Sequence, residues 1–135
     1  MRTVVYTVVI LLVGGFLALL LCPDISSTGH PEGRSEAKNS VIQLIVAAKG
    51  YRSEYEEPPK GDRKIILQVL QGNNPRKIVF IELNPKRITK EGIFVDPWGS
   101  PYAFDLSNAT DPWAYSFGKN KIDEGGNGDD VASWK

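Results

Sequence analysis

Ser35-Glu-Ala-Lys-Asn-Ser-Val-Ile-Gln-Leu-Ile-Val-Ala-Ala-Lys-Gly-Tyr-Arg-Ser-Glu-Tyr-Glu56 decides the fold class. Ala37, Val41, Leu44, Ile45, Ala48, Tyr51 and Tyr55 recur at spacings of three and four, so they share one side of a helix. Lys38, Gln43, Lys49, Arg52 and Glu56 fall largely on the other sides. Ser35 is placed to cap the start, and Pro58-Pro59 ends the run because proline removes an N–H and clashes with the preceding turn. A single apolar stripe needs a flat apolar partner.

The partner lies downstream. A shorter helix is predicted over Asp62 to Leu70, with Ile65, Ile66, Val69 and Leu70 inward and Gly72 as its stop. Asn73-Asn74-Pro75 is a turn, and Lys77 to Leu83 reads as a strand or extended segment. Asp96-Pro97-Trp98-Gly99 has Asp, Pro and Gly where a type I turn prefers them. Tyr102, Phe104 and Leu106 then share one strand face, and Trp113, Tyr115 and Phe117 are expected to form the apolar face of the next. A long helix followed by antiparallel strands gives an α+β domain with the helix covering the sheet.

After that last strand the chain changes character. Gly118-Lys-Asn-Lys-Ile-Asp-Glu-Gly-Gly-Asn-Gly-Asp-Asp130 crowds Asp123, Glu124, Asp129 and Asp130 into a glycine-rich loop closed by Trp134. Like charges so close repel unless a cation sits among them, and hard oxygen ligands on a flexible loop suit calcium better than zinc or copper. The EF-hand pattern fails, because Trp134 stands where a carboxylate should close the loop. The calcium-binding repeat Gly-Gly-x-Gly-x-Asp occurs once, at Gly125 to Asp130, without the stacked copies that such repeats need. A solvated turn of this composition is the plain alternative.

The N-terminal end bounds location. Val4 to Cys22 is an uncharged run rich in Val, Leu and Ile, preceded by Arg2 and ended by Pro23-Asp24. At about 1.5 Å per residue a helix of that length reaches roughly 28 Å, close to one hydrocarbon core. The expected topology is a single span in the cytoplasmic (inner) membrane, with the N-terminus inside and the C-terminal domain in the periplasm or outside. A cleaved signal peptide is the rival, but no Ala-x-Ala follows the run. Cys22 follows Leu21, whereas a lipoprotein attachment site has a small residue there. The organisation expected is an anchor over 1–22, a flexible linker over 23–34 carrying Pro23, Gly29, Pro31 and Gly33, and a globular domain over 35–135.

Composition removes several functions. The chain has 135 residues, with 16 basic and 16 acidic side chains and zero formal charge. Nothing in it resembles a nucleic-acid surface. A lone Cys22 allows no intrachain disulfide, and a lone His30 in the linker leaves no nucleophile–histidine set. Neither an enzyme nor a small-molecule site is expected.

A periodic helix ending in Tyr-x-x-x-Tyr, then Asp96-Pro97-Trp98-Gly99-x-Pro101-Tyr102, then Ser116-Phe117-Gly118 and Gly125-Gly126-x-Gly128-Asp129-Asp130 before Ser133-Trp134, resembles the type II secretion system protein G family, the major pseudopilins. The resemblance covers roughly Ser35 to Lys135. It implies a pilin-like domain, a helix packed on a small antiparallel sheet, whose last loop binds calcium and so stabilises an assembled pseudopilus. Carried onto this chain, the metal residues are Asp129 and Asp130, with Asp123 and with Asn120 in the place of the family's first aspartate. Backbone carbonyls near Phe117 to Lys121 would complete the shell. The resemblance also implies pseudopilin or other secretion-machine subunits as partners. The N-terminus departs from the family: Gly15-Phe16 falls in the middle of the apolar run, and Leu20 stands where the family has a glutamate. A membrane-anchored pseudopilin-like subunit is therefore the leading expectation. A tethered calcium-dependent binding module that forms no filament is the second.

Overall fold

A computed structural model describes residues 31–135. The expected anchor over 1–22, and the linker as far as residue 30, lie outside the described residues. Among the described residues no helix is long and apolar enough to cross a membrane.

The long helix, α1, runs Pro31–Tyr55. It begins four positions before the expected Ser35 cap, so residues 31–34 are helical and not linker. Pro31 opens the helix, where a missing N–H removes a donor that would have no intrahelical acceptor. The predicted stripe holds: Ala37, Val41, Leu44, Ala48 and Tyr51 are buried, and Ile45 and Tyr55 pack against the core from its edge. Ala47 is buried beside them. Glycine inside a helix costs about 1 kcal/mol relative to alanine, but Gly50 lets the Phe80 ring approach, leaving only 3.3 Å between that ring and a would-be Cβ. The helix stops at Glu56, whose φ of 60 sits in the left-handed region while its N–H still bonds Arg52 O at 2.8 Å.

Helix α2 spans Arg63–Leu70, and Asp62 caps it by accepting the Ile65 N–H at 2.9 Å. Its buried residues are Ile66, Leu67 and Leu70. The expected inward Ile65 is instead 46% exposed, and Leu67 takes its place. In so short a helix, which face turns inward depends on the approach angle to α1, and local spacing does not encode that angle.

The expected strand or extended segment over Lys77 to Leu83 joins no sheet, and Lys77 itself sits at φ 54. Leu70 O receives the N–H groups of both Phe80 and Ile81. Asn74 fixes the start of the segment: its amide donates to Val69 O and Ile78 O at 2.8 and 2.7 Å, and its oxygen accepts from Ile78 N and the Tyr55 hydroxyl. A 3-10 turn at Pro85–Arg87 follows, capped by Asn84. Arg87 grips Glu36 on α1 through two bonds of 2.8 and 2.9 Å, tying this turn to the first part of the helix.

Three antiparallel strands complete the domain in the order β1 (Ala103–Asp105), β2 (Trp113–Ser116) and β3 (Val131–Ala132). Phe104 pairs with Ala114, and Ser116 pairs with Val131. Opposed residues share a face, so these four line the side packed against α1, where Tyr102 and Leu106 also sit in the core. The β2 face is the reverse of the expected one. Ala114 and Ser116 are fully buried, whereas Trp113, Tyr115 and Phe117 are half-exposed on the other side, with successive ring centroids 5.7 and 6.0 Å apart. Small residues beneath the helix allow α1 to settle on the strand, and three large rings there would hold the two layers apart.

Candidate functional site: the acidic loop after β2

The loop is anchored before it starts. Asp96 is fully buried, and its Oδ1 accepts the N–H groups of Trp98 and Ser100 at 3.0 and 2.9 Å. The expected turn is present: Gly99 N–H donates to Asp96 O at 3.0 Å, with Gly99 at φ 91. The other carboxylate oxygen, Oδ2, accepts the Ser116 hydroxyl at 2.6 Å, and that hydroxyl in turn accepts the Gly118 N–H at 3.0 Å. A turn twenty residues upstream thereby positions the first residue of the loop. Burial raises the nearby Tyr102 phenol well above its ordinary value of 10.0.

The four residues expected to hold a metal occupy unlike environments. Asn120 and Asp123 are exposed, Asp129 is half-buried and Asp130 is fully buried. Asn120 Oδ1 accepts its own loop's Ile122 N–H at 2.9 Å, and Asn120 N–H donates to Asp129 Oδ2 at 2.9 Å. Asp123 Oδ1 accepts the Tyr115 hydroxyl and the Gly125 N–H, each at 3.0 Å. Burial first, and that bond second, raise the Tyr115 phenol above its ordinary value. Asp130 Oδ2 accepts the N–H groups of Glu124 and Gly126 at 3.0 and 2.8 Å. The structure therefore brings Asn120 to Asp129, and Asp130 to the Glu124–Gly126 backbone, while Asp123 is joined to β2.

Two basic side chains of α1 reach this end of the chain. Arg34 Nη1 donates to Asp129 O at 3.3 Å and lies 3.8 Å from its carboxylate. Lys38 Nζ donates to Ala132 O at 2.8 Å and also to Lys135 O. Trp134 is 55% exposed, yet its ring lies where a Cβ on Gly126 would be, and it meets Tyr115 edge-on at 5.9 Å. Gly126, at φ 82, is thus required both by its backbone angle and by the indole above it.

The fit to a cation is decided by one atom. Asp130 Oδ1 is buried with no hydrogen-bond partner. A buried carboxylate oxygen left without a donor is costly, and an oxygen-loving cation is one group that satisfies it. The other available donors are carboxylates, amide oxygens and carbonyls, the set that calcium accepts and zinc does not prefer. Among the described residues, no three His, Cys, Asp or Glu side chains converge into a metal-holding group. A shell here would accordingly take few carboxylates and complete itself with neutral oxygens.

Ser116, Asp96 and Tyr115 carry no local sequence signal for a part in the site. Asp96 was legible only as a turn residue, and nothing local announced its bond to a serine twenty positions later.

No family model matches this chain, and no solved structure matches it. Among proteins of known role, it is similar to type II secretion system core protein G of Pseudomonas aeruginosa, at 25% identity over 139 aligned residues that span 98% of this chain and 92% of that protein. The aligned stretch takes in the N-terminal part as well as the C-terminal motifs, so the likeness to that secretion protein runs over nearly the whole length of this chain.

Proposed function

We propose that this chain is a membrane-anchored, pseudopilin-like structural subunit or accessory of a type II secretion or type IV pilus-like system, with a periplasmic domain stabilised by calcium. The observation that carries this reading is the match to a secretion core protein along 98% of the chain, joined to a body in which a long helix lies on a small antiparallel sheet. The apolar run Val4 to Cys22 supports the anchor. The unpartnered Asp130 Oδ1 supports the metal, with Asp129, Asp130, Asp123 and Asn120 as its residues. Calcium bound there supplies positive charge to a loop that carries Asp123, Glu124, Asp129 and Asp130 within eight positions.

A second reading is favoured by Leu20, which stands where the family carries its glutamate. Without that carboxylate a subunit loses an ion pair expected in the filament core, and the chain becomes a tethered calcium-dependent module that does not polymerise. In-membrane crosslinking separates the two. A filament subunit gives ladders of itself or adducts with other pseudopilins; a protein that stays monomeric under conditions where known pseudopilins crosslink sinks the filament reading. Intact mass of the protein extracted from native membranes adds the processing state. A mass beginning at Phe16 marks prepilin-type cleavage, and a full-length mass marks an uncleaved anchor.

A further inference from the structure

Helix α1 carries a second apolar feature, opposite the buried Leu44, Ala47 and Tyr51. Ile42 and Val46 are 42% and 62% exposed, and Lys49 continues their line one turn further on. Grooves of about 400 and 410 Å³ flank this ridge. Trp113 and Trp134 line the first, beside Lys49; Phe80 and Glu82 border the second, beside Ile42 and Gln43. Lys49 and Glu82 are both exposed, and among the described residues neither enters an ion pair. A ridge with a groove on each flank has the shape to receive a copy of itself.

Charge sets the direction of such packing. With two α1 helices parallel and Val46 against Val46, Lys49 faces Lys49 and Glu82 faces Glu82. With the helices antiparallel, Lys49 stands about 4.5 Å past the crossing point and meets the part of the other helix about 6 Å before it, at Ile42. That is where Glu82 borders the groove. Two-fold symmetry then repeats the Lys49–Glu82 pair, and Ile42 of each copy faces the tryptophan-lined groove of the other.

We propose that the outer face of α1 binds a second copy of this chain in an antiparallel, two-fold contact, with Val46 at the axis and Lys49 of each copy paired with Glu82 of the other. An aliphatic and aromatic centre inside a charged rim is the usual make-up of a specific interface. A two-fold contact closes on itself, whereas an open filament grows through heterologous contacts. The dimer therefore depends on neither the calcium nor the filament reading.

The test is oxidative crosslinking of the purified full chain in detergent, with Cys22→Ser removing the native thiol and Ile42→Cys, Val46→Cys or Lys49→Cys introduced singly. A disulfide needs Cα atoms closer than about 7 Å. Val46→Cys is expected to give a covalent dimer. Ile42→Cys and Lys49→Cys are expected to give one only when mixed with each other, because each lies far from its own counterpart across the axis. Any other pattern overturns the proposal: self-crosslinking of Ile42→Cys and of Lys49→Cys marks parallel packing, and no dimer at all marks a face that takes no second copy. Charge reversal gives a reading that needs no cysteine. In sedimentation, Lys49→Glu should weaken association by at least about tenfold, and Lys49→Glu combined with Glu82→Lys should restore it. A double variant as weak as the single one overturns the pairing on which the antiparallel arrangement stands.

Discussion

The helix–sheet body and the acidic loop are stabilised in opposite ways. The body closes on apolar contact: Leu44, Leu70 and Leu106 are almost wholly buried, and each fully buried side chain of this kind contributes about 1.5–3 kcal/mol. The loop buries Asp130 but scarcely any apolar side chain; Ile122 is 61% exposed. It is shaped by carboxylates accepting its own N–H groups and by glycines at positive φ at 118, 125, 126 and 128. A hydrophobic core makes no specific demand on a divalent cation, whereas a set of carboxylates folded on one another responds to cations. The two regions should therefore fail under different treatments.

The largest expected effect falls on the body. Leu44→Ala leaves a cavity under the sheet and should cost about 2–5 kcal/mol, read as a lower denaturation midpoint whether or not calcium is present. Equal losses from an exposed change such as Lys49→Ala would break the contrast between core and surface.

Calcium removal comes next and should act through the loop. At a calcium concentration about a hundred times Kd, chelation should remove about 2.7 kcal/mol of stability by mass action, seen as a fall in melting temperature. Asp129→Ala or Asp130→Ala should abolish that dependence. A wild-type melt indifferent to chelator would falsify the site assignment.

Ser116→Ala attacks the joint between the regions. It leaves both the buried Asp96 Oδ2 and the Gly118 N–H without their shared partner, at an expected cost of about 1–3 kcal/mol. Because Gly118 opens the loop, this variant should also weaken whatever calcium stabilisation wild type shows. A loss of stability with the calcium effect intact would show that the joint serves the body only.

Alkaline titration compares the regions through their phenols. Tyr102 in the body and Tyr115 beside the loop both have folded pKa values raised above 10.0. A raised phenol favours its neutral form in the folded state, so its contribution is complete below pH 10.0 and disappears as pH climbs through the folded value. Stability should decline above that pH, and Tyr102→Phe should blunt the decline more than Tyr115→Phe does. The smallest change is a gain. Glu56 holds φ 60 at the end of α1, and Glu56→Gly should relieve about 0.5–1 kcal/mol; a measured loss would mean that the glutamate has a contact of its own.

What could be read from the sequence was whatever repeats locally. The stripe of α1 was legible because its period of three and four can arise from one helical face only, and the Asp96-Pro97-Trp98-Gly99 turn because each position has its own backbone reason. Trp113-Ala-Tyr-Ser-Phe117 alternates just as clearly, but alternation does not say which face is inward. Hydrophobicity favours the rings; packing beneath a helix favours Ala114 and Ser116, and packing prevailed. Strand β3 went unread because two residues, Val131 and Ala132, carry no period. In the candidate site the residue types were legible and their division of labour was not. Asp130 and Asp123 read alike in sequence, yet one is buried beneath two N–H donors and the other is exposed beside Tyr115.

That shortest strand links the fortunes of the loop to those of the sheet. Among the described residues Val131–Ala132 pairs only with β2, and the return is continued by Ser133 N–H on Ala114 O at 2.9 Å. The connection that brings these residues back is the acidic loop itself. Loop and strand should therefore open and close as one cooperative unit, and the Ser133 amide, although attached to the sheet, should exchange its hydrogen at the rate the loop permits.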